Sequence, residues 1–406
     1  MKTTSTKPEG PPIWLLIALT AINSVALNMF VPAMPLAADE FGASNDTLQL
    51  TLTLYLVGVG TAQLFYGPLS DRFGRRPLIL GGTALFALAS LACALATSPS
   101  LLILARLAQA VGGCAGLVLT RAIVRDIWDA DKAVPVLGKI MSVMAVAPAL
   151  SPGIGGWIGG EFGWRTIFLV TAALAGAVSI WAAFVLAETN RERLSLPRLT
   201  SVLVNYKTIL IDPVFFGLTI STSLISACWF AYLAAGPFMM QTLMQRPAQE
   251  FGFVFAAMAI SYLTGTVTTS RLSGRIGRIK FMAAGLVFTF LGAFLMLGLA
   301  LAGHDGFFPV TGSMLLITFG HGLNSPGAIT TAIGVKPEMR GTSSGLFGAI
   351  QMAASALSTL VIAAIGFSPL SLASMLAATT TMSLIIFLPG AVYMRRRSRL
   401  GLRRPN

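Results

Sequence analysis

The sequence predicts an all-α membrane protein with twelve transmembrane helices arranged as two six-helix bundles. Of its 406 residues, 55% are hydrophobic and only 11% are charged, whereas a soluble domain carries roughly 25% charged residues. Apolar runs of about 20 residues or more, long enough to cross a bilayer as helices, follow one another along the chain. This pattern excludes a soluble or disordered protein. An outer-membrane barrel would instead show alternating segments of about 10 residues.

The apolar runs predict twelve helices, which are separated by short segments containing charged residues, Gly or Pro. A polar segment divides them into two sets of six. We therefore expect an N-terminal bundle over residues 1–187, a cytoplasmic linker over 188–212, a C-terminal bundle over 213–394 and a basic cytoplasmic tail over 395–406. In chain order, the predicted helices span residues 13–36, 49–69, 77–96, 100–120, 135–158, 164–187, 213–240, 250–272, 279–302, 307–333, 341–366 and 369–394.

Basic residues are distributed unevenly between the two sides of these helices. All Lys and Arg residues except Arg106, Arg165 and Arg246 lie in the amino-terminal segment, in the tail, or in and beside the loops after helices 2, 4, 6, 8 and 10. Because cytoplasmic loops are enriched in Lys and Arg, these loops and both termini are predicted to be cytoplasmic. The net charge of +13 is therefore a sign of membrane topology rather than of nucleic-acid binding.

A short motif occurs once in each predicted bundle. Residues 67–76 read GPLSDRFGRR and follow helix 2, and residues 270–279 read SRLSGRIGRI and follow helix 8. Leu, Ser, Arg, Gly and Arg coincide when the two segments are aligned, and the segments are separated by half of the chain length. Two related halves in the same orientation are typical of secondary transporters.

The first copy of the motif has the composition of a tight cytoplasmic turn. Gly74 can adopt the positive φ that such a turn requires, and Arg72 and Arg75 favour the cytoplasmic side. Asp71 can cap a helix start or pair across the interface between the bundles. These contacts would hold the cytoplasmic side closed; the alternative is that the loop only anchors the topology.

The motif GPLSDRFGRRP resembles the loop motif of the major facilitator superfamily, and the whole chain is similar in particular to the Bcr/CflA group of twelve-helix drug:proton antiporters. This resemblance implies a multi-pass transporter of the plasma membrane, which is the inner membrane of a bacterium. It also implies gating roles for the loop and for Asp126. Four further segments that resemble the group are residues 104–113, 121–126, 147–156 and 341–345.

The fifth predicted helix is rich in residues that bend a helix or let another helix approach. Pro148 and Pro152 each remove a backbone hydrogen bond. Gly153 is one of five glycines between residues 148 and 160, and glycine permits close packing of helices. The resemblance implies that this helix takes part in gating and in preventing leakage.

Arg106 lies inside the fourth predicted helix, where a charge is costly and is expected to face the bundle interior. Gln109, three residues later, shares the same face of the helix. In the resembled group, the matching arginine takes part in proton coupling. The alternatives are a structural hydrogen-bonding role for Arg106 and a packing role for Gln109.

Asn28 is the main departure from the resembled group, which has an aspartate in the corresponding stretch of helix 1. Asn28 and Arg106 lie at similar depths, about 12 and 9 Å from the outer ends of their helices, so the two side chains could meet across a cavity. An amide does not titrate, so Asn28 can bind a substrate but cannot carry a proton.

No other acid takes the place of that aspartate, because all 15 Asp and Glu residues fall in loops or at helix ends. The remaining candidates for proton coupling are Asp39, Glu40, Asp126 and His321. His321 in helix 10 can titrate near neutral pH, and the neighbouring glycines and proline predict local unwinding that would expose polar groups. Alternatively, His321 is a neutral, hydrogen-bonded residue of the bundle. Asn324 lies one turn further along roughly the same face.

Aromatic and polar side chains on several helices are candidates to line a central cavity. Trp229 and Tyr232 of helix 7 are the main candidates, with simple packing as the alternative role. An aromatic cavity with few fixed charges suits apolar or cationic drugs. Further candidates are Tyr55, Gln63, Tyr66, Phe230 and Gln351.

We therefore expect a secondary active transporter that exports drugs or other small amphipathic molecules by proton antiport with alternating access. The alternative, which follows from Asn28, is a metabolite exporter or a facilitator that is not coupled to protons. The sequence contains no phosphate-binding loop, nucleophile–base pair or metal-ligand pattern, so we expect neither an enzyme nor a cofactor or metal. The expected partners are a small-molecule substrate, protons and the lipid bilayer. The chain is expected to be a monomer that binds no nucleic acid.

Overall fold

The computed structural model describes residues 10–190 and 199–399, and these ranges are helical apart from short turns. Part of the predicted linker, residues 191–198, and part of the predicted tail, residues 400–406, lie outside the described residues. The helices are α1 Ile13–Phe30, α2 Met34–Phe41, α3 Asn45–Phe73, α4 Arg75–Ala94, α5 Pro99–Ile127, α6 Ala130–Phe162, α7 Trp164–Val185, α8 Leu199–Leu210, α9 Pro213–Phe238, α10 Ala248–Ile276, α11 Arg278–Leu301, α12 Phe307–Ile333, α13 Arg340–Ile365 and α14 Pro369–Arg399.

In the described part of the chain, ten helical segments are long and apolar enough to cross a membrane. The first of them, Ile13–Phe41, joins α1 and α2 through a 3₁₀ turn at Val31–Ala33. The ten do not include α6 and α12, which have 33 and 27 residues. The polar side chains of His321 and Asn324 lower the mean hydropathy of α12. The count of twelve spans and the cytoplasmic position of the termini stay predictions.

Several helices extend beyond the apolar runs that predicted them, because polar residues continue or cap their ends. The Ser44 hydroxyl accepts a 3.3 Å hydrogen bond from the Thr47 N–H at the start of α3. The Asp212 carboxylate accepts bonds of 2.9 and 3.0 Å from the N–H groups of Val214 and Phe215 at the start of α9. Such caps satisfy backbone donors that the first helical turn leaves free.

The predicted linker contains a short helix, α8, where only a polar connection is expected from the sequence. Val202, Tyr206 and Ile209 recur every three or four residues, and their side chains are half-buried or buried. One face of α8 is therefore apolar, and the helix packs against α9 and α13.

The turns of the repeated motif have the same backbone geometry. Gly74, between α3 and α4, and Gly277, between α10 and α11, both have φ of +102°. The positive φ expected at Gly74 is thereby confirmed. Residues other than glycine rarely adopt such an angle, which explains why glycine stands at the same place in both copies.

The helices pack as two groups that meet along two pairs of helices. Helices α1 to α7, the first half, contact mainly one another, and so do α9 to α14, the second half. The two halves meet where α6 packs against α10 and where α3 packs against α13. We call the end of the molecule that carries Arg75 the Arg75 face and the opposite end, which carries Arg165, the Arg165 face.

Candidate functional site

The two halves are in close contact near the Arg165 face. Gly153 of α6 and Gly252 of α10 lie so close that a Cβ atom built on Gly252 would overlap the Gly153 backbone. The Gln241 side-chain amide donates a 2.9 Å hydrogen bond to the Pro32 carbonyl, which is in the 3₁₀ turn where the regular helix is interrupted. These contacts close the space between the halves on this side.

On the α3–α13 side, the contact between the halves reaches the middle of the helices. The hydroxyl groups of Thr53 and Thr359 are 2.7 Å apart. Nearer the centre, the Gln63 side chain lies directly against Gly348.

The close approach expected for the glycine-rich fifth predicted helix is found in α6 at Gly153. Of its two prolines, Pro148 is half-buried and Pro152 is buried.

A cavity of about 520 Å³ separates the halves at the Arg75 face. It is lined in the first half by residues of α3, of the first copy of the repeated motif and of the end of α5, and in the rest of the chain by α8 and the start of α13. Of the predicted site residues, the gating candidates Asp71, Arg75 and Asp126 line it, together with the cavity candidate Gln63. The polar lining residues are Gln63, Ser70, Asp71, Arg75, Arg121, Arg125, Asp126, Asn205, Tyr206, Thr342 and Ser344.

Arg75 connects the turn of the motif to the end of α5. Its guanidinium contacts Asp71 at 2.5 Å and Asp126 at 3.1 Å, and it also donates to the Ser70 hydroxyl. Arg72 instead is exposed, with its guanidinium 5.3 Å from the ring centre of Phe73. Three predicted gating residues, Asp71, Arg75 and Asp126, are thus brought together, and Arg72 lies apart from them.

Glu188, which belongs to none of the motifs in the sequence, holds this turn in place. Its carboxylate accepts hydrogen bonds from the backbone N–H groups of Arg75 (2.9 Å) and Arg76 (3.2 Å). Asn190 donates to the carbonyl of Asp71 at 2.8 Å. The sequence signal is limited: Gly74 has no side chain to cap the helix that follows it, so the first N–H groups are left to another residue or to water, and the sequence does not indicate which.

Arg106 and Gln109 are completely buried in the first half and contact each other. Arg106 Nη1 donates to Gln109 Oε1 at 2.6 Å and to the Ala26 carbonyl at 3.2 Å. Gln109 in turn donates to the Ser90 hydroxyl at 2.7 Å. The guanidinium carbon lies 4.2 Å from the ring centre of Tyr55, a distance typical of a cation–π contact.

Asn28 and Arg106 share no hydrogen bond in the described structure. The Asn28 amide donates to the Ser24 carbonyl of its own helix at 2.7 Å. The α1 group that Arg106 binds is the Ala26 carbonyl. Similar depth in the membrane does not by itself predict a hydrogen bond, because it leaves the direction of each side chain open.

His321 and Asn324 lie in the second half and face α9, as their spacing predicts. His321 Nε2 is 3.4 Å from the Ser226 hydroxyl, which accepts a 2.6 Å hydrogen bond from the Gln351 amide. Asn324 Oδ1 accepts a 3.3 Å hydrogen bond from Thr222, one turn before Ser226. We call His321, Ser226, Gln351, Thr222 and Asn324 the His321 cluster.

The local unwinding expected around His321 is wrong, because α12 continues without interruption from Phe307 to Ile333. The glycines on both sides serve packing instead. A Cβ atom on Gly320 would lie 2.5 Å from the Gly285 carbonyl oxygen of α11, and one on Gly322 would overlap the Tyr262 carbonyl of α10. The glycines therefore let α10 and α11 approach α12.

Trp229 and Tyr232 belong to an aromatic cluster between α9 and α10. Trp229 is half-buried and meets Phe255 edge to face at 4.8 Å. Tyr232 is 1% exposed and stacks on Phe251 at 5.9 Å. Neither residue lines the cavity at the Arg75 face.

The acids considered for proton coupling lie at the ends of the molecule. Glu40 forms an ion pair with Arg165 and accepts a 2.6 Å hydrogen bond from the Trp164 indole, and Asp39 is exposed beside it. In the described ranges, every Asp and Glu lies in a loop or in the terminal turn of a helix. The same ranges contain no group of three His, Cys, Asp or Glu residues that could hold a metal ion.

Comparison with known proteins extends these observations. The bicyclomycin resistance protein homolog of Haemophilus influenzae is 27% identical over 84% of this chain and 85% of its own length. The chloramphenicol resistance protein of Pseudomonas aeruginosa is 32% identical over 65% of this chain and 61% of its own length. The multidrug resistance protein MdtL of Citrobacter koseri is 27% identical over 87% of this chain and 89% of its own length.

The sequence profile that describes the Major Facilitator Superfamily matches residues 16–359. The similarity to a bicyclomycin resistance protein homolog agrees with the Bcr/CflA resemblance of the loop motif. Together with the apolar helices, these matches identify a multi-pass plasma-membrane transporter rather than an enzyme. The chain therefore belongs to the major facilitator superfamily.

Proposed function

We propose that this protein exports drugs or other small amphipathic molecules across the plasma membrane. The observation that carries the proposal is the cavity between the two halves, which opens at the Arg75 face and is closed by packed helices towards the Arg165 face. The resistance proteins among its relatives support drugs as the substrate class.

The proposed cycle is alternating access between the halves 1–187 and 213–394. In this proposal the protein works as a monomer with twelve spans and cytoplasmic termini. The Arg75 face is then cytoplasmic. The cavity then faces the source of an exported molecule. Opening of the Arg165 face would require separation of α6 from α10 and of α3 from α13. At the same time, the motif loop with Asp71 and Arg75 would close the Arg75 face.

The experiment that tests export uses an efflux-deficient bacterial host with and without the protein. Chloramphenicol and bicyclomycin come first, because two relatives are named for resistance to them. We expect expression to raise the inhibitory concentration of at least one drug of a wider panel and to lower its accumulation in cells. Unchanged accumulation of every drug, with the protein present in the membrane, would contradict the proposal.

Proton antiport is the proposed driving reaction, with the His321 cluster as the proton site. His321 is 9% exposed and is hydrogen-bonded through Ser226 to Gln351. Imidazole can exchange a proton near neutral pH, and the described helices carry no acid away from their ends. In everted, energised vesicles, adding a transported drug should release protons from the lumen, as followed by a pH-sensitive dye.

His321→Gln removes the titrating group and keeps a hydrogen-bonding side chain, so it should abolish the proton release. The matched control is His304→Gln, because His304 is the second of the two histidines and is exposed. Drug-dependent proton release that survives in His321→Gln would exclude the histidine as the proton site.

The alternative is a metabolite exporter or facilitator without proton coupling, which the amide at Asn28 favours. Asn28 binds a carbonyl of its own helix and offers no titrating group. Transport in wild-type vesicles with no change of dye fluorescence would support this alternative. Asn28 would then be tested as a substrate ligand by Asn28→Ala, with uptake as the readout.

A further inference from the structure

Arg106 presents two hydrogen-bond donors that nothing in the described structure accepts. The residue is 0% exposed, and its Nη1 atom alone is bonded, to Gln109 and to the Ala26 carbonyl. The Nε and Nη2 atoms have no hydrogen-bond partner. These two atoms form one edge of the planar guanidinium, and such an edge matches the two oxygens of a carboxylate.

The neutral polar groups around Arg106 are already engaged with one another. The Tyr55 hydroxyl donates to Asn23 Oδ1 at 2.8 Å, and Gln109 Nε2 donates to the Ser90 hydroxyl at 2.7 Å. An additional acceptor for the free edge of Arg106 therefore has to come from outside this network, since unsatisfied buried donors are costly.

The positive charge of Arg106 is also without an acidic partner. None of the ion pairs in the described ranges includes Arg106, and the described acids lie at the helix ends. The rings of Tyr55, Phe30 and Phe168 surround the guanidinium at 4.2, 5.5 and 5.7 Å. Aromatic rings stabilise a cation but accept no strong hydrogen bond from Nε or Nη2.

We propose that the Nε–Nη2 edge of Arg106 is a binding site for an anion of the carboxylate type. The aromatic rings would form the wall for an apolar group attached to it. This inference rests on the proposed function and refines it: the preferred substrates are amphipathic aromatic carboxylates rather than cationic drugs. The same edge would also accept a small inorganic anion, and the experiment distinguishes the two sources.

The test is thermal unfolding of the purified full-length protein at constant ionic strength, maintained with the sodium salt of HEPES. Sodium benzoate, sodium chloride and the neutral isostere benzamide are titrated separately. A ligand that binds the folded state alone raises the unfolding midpoint with concentration. We expect benzoate to raise it and benzamide to leave it unchanged. An equal rise with chloride at the same concentrations would assign the site to an inorganic anion and overturn the substrate class.

The decisive variant is Gln109→Glu, which preserves the side-chain shape and gives Arg106 a carboxylate within its own helix. The apparent affinity for benzoate should fall at least tenfold, without loss of the folded protein. Gln245→Glu is the matched control, because the exposed Gln245 gains the same charge away from Arg106. Its benzoate affinity should remain that of the wild type.

Arg106→Lys gives a second, independent measurement, because it keeps the charge and removes the paired donor edge. It should weaken benzoate binding if it folds. The proposal is overturned if neither anion shifts the unfolding midpoint of the wild type, or if Gln109→Glu binds benzoate as the wild type does. Either result would leave drug export intact, because export is measured separately by drug accumulation in cells.

Discussion

The carboxylate of Glu188 replaces the capping side chain that Gly74 lacks. Gly74 is the N-cap residue of α4 and makes no side-chain cap, and its φ of +102° excludes most other residues. Glu188 accepts hydrogen bonds from the first two N–H groups of α4, those of Arg75 and Arg76. A negative charge is favoured at a helix N-terminus. Glu188, which lies shortly after the end of α7, thus fixes the turn from the motif loop into α4.

At the residue scale we predict that Glu188→Ala destabilises the protein. Loss of a helix cap costs about 0.5–2 kcal/mol of the free energy of unfolding, so the unfolding midpoint should fall. Glu188→Gln keeps an acceptor oxygen and should lose less. Thermal unfolding of the purified variants measures the effect, with Glu338→Ala as the control because Glu338 is exposed. Equal midpoints for Glu188→Ala and Glu338→Ala would show that Glu188 does not stabilise the turn.

At Gly153 and Gly156, helix α6 lies directly against the backbone of α10. Gly153 faces Gly252, and Gly156 faces the carbonyl of Ala248, which would lie 2.9 Å from a Cβ atom on Gly156. In membrane helices, small residues allow this contact and gain dispersion energy from it. A larger side chain at this contact would therefore push the two helices apart. The contact lies near the Arg165 face, where the halves are closed against each other.

At the element scale we predict that Gly252→Leu separates the halves at the Arg165 face, because a leucine side chain cannot fit against Gly153. Spin labels on Asp46→Cys and Thr242→Cys, both exposed, should move further apart, as measured by double electron–electron resonance. The three native cysteines are buried and should react little with the label.

The matched control for this substitution is Gly298→Leu in α11, where a Cβ atom meets no other group within 4 Å. It adds the same volume without touching the other half. If the label distances in Gly252→Leu equal those in Gly298→Leu, the α6–α10 contact does not keep the Arg165 face closed.

For the whole molecule, the helices could be predicted from the sequence better than the contacts between them. Apolar period and length indicate helices, and the repeated motif correctly placed a positive φ at Gly74. Gln109, one acceptor of Arg106, lies on the helix face where its spacing places it, but the second acceptor, a backbone carbonyl of α1, could not be predicted in this way. The role of Glu188 likewise depends on how α7 packs against α4, which no local pattern encodes.

Among the predicted site residues, helix spacing correctly predicted which ones share a face. His321 and Asn324 both contact α9, as residues one turn apart should. Glycine next to His321 was misinterpreted, because the same residue type permits unwinding and close packing alike. The contact of Gly322 with the Tyr262 carbonyl decides between the two, and it becomes visible only in the folded protein.

The contact between Thr53 and Thr359 gives the last prediction, which concerns the two halves as moving bodies. Their hydroxyl groups are 2.7 Å apart and belong to α3 and α13. If transport requires these helices to separate, a disulfide between Thr53→Cys and Thr359→Cys should stop it, because the bond holds the halves in the closed arrangement. Drug transport in vesicles should be lost on oxidation and return on reduction.

Each single cysteine variant is the control, and it should transport equally well under both conditions because the native cysteines are buried. Formation of the bond is verified by mass spectrometry of the linked peptides. Full transport by the oxidised, linked protein would mean that α3 and α13 stay together throughout the cycle. The substrate would then have to pass without separation of the halves at this contact, and alternating access by movement of one half against the other would be wrong for this protein.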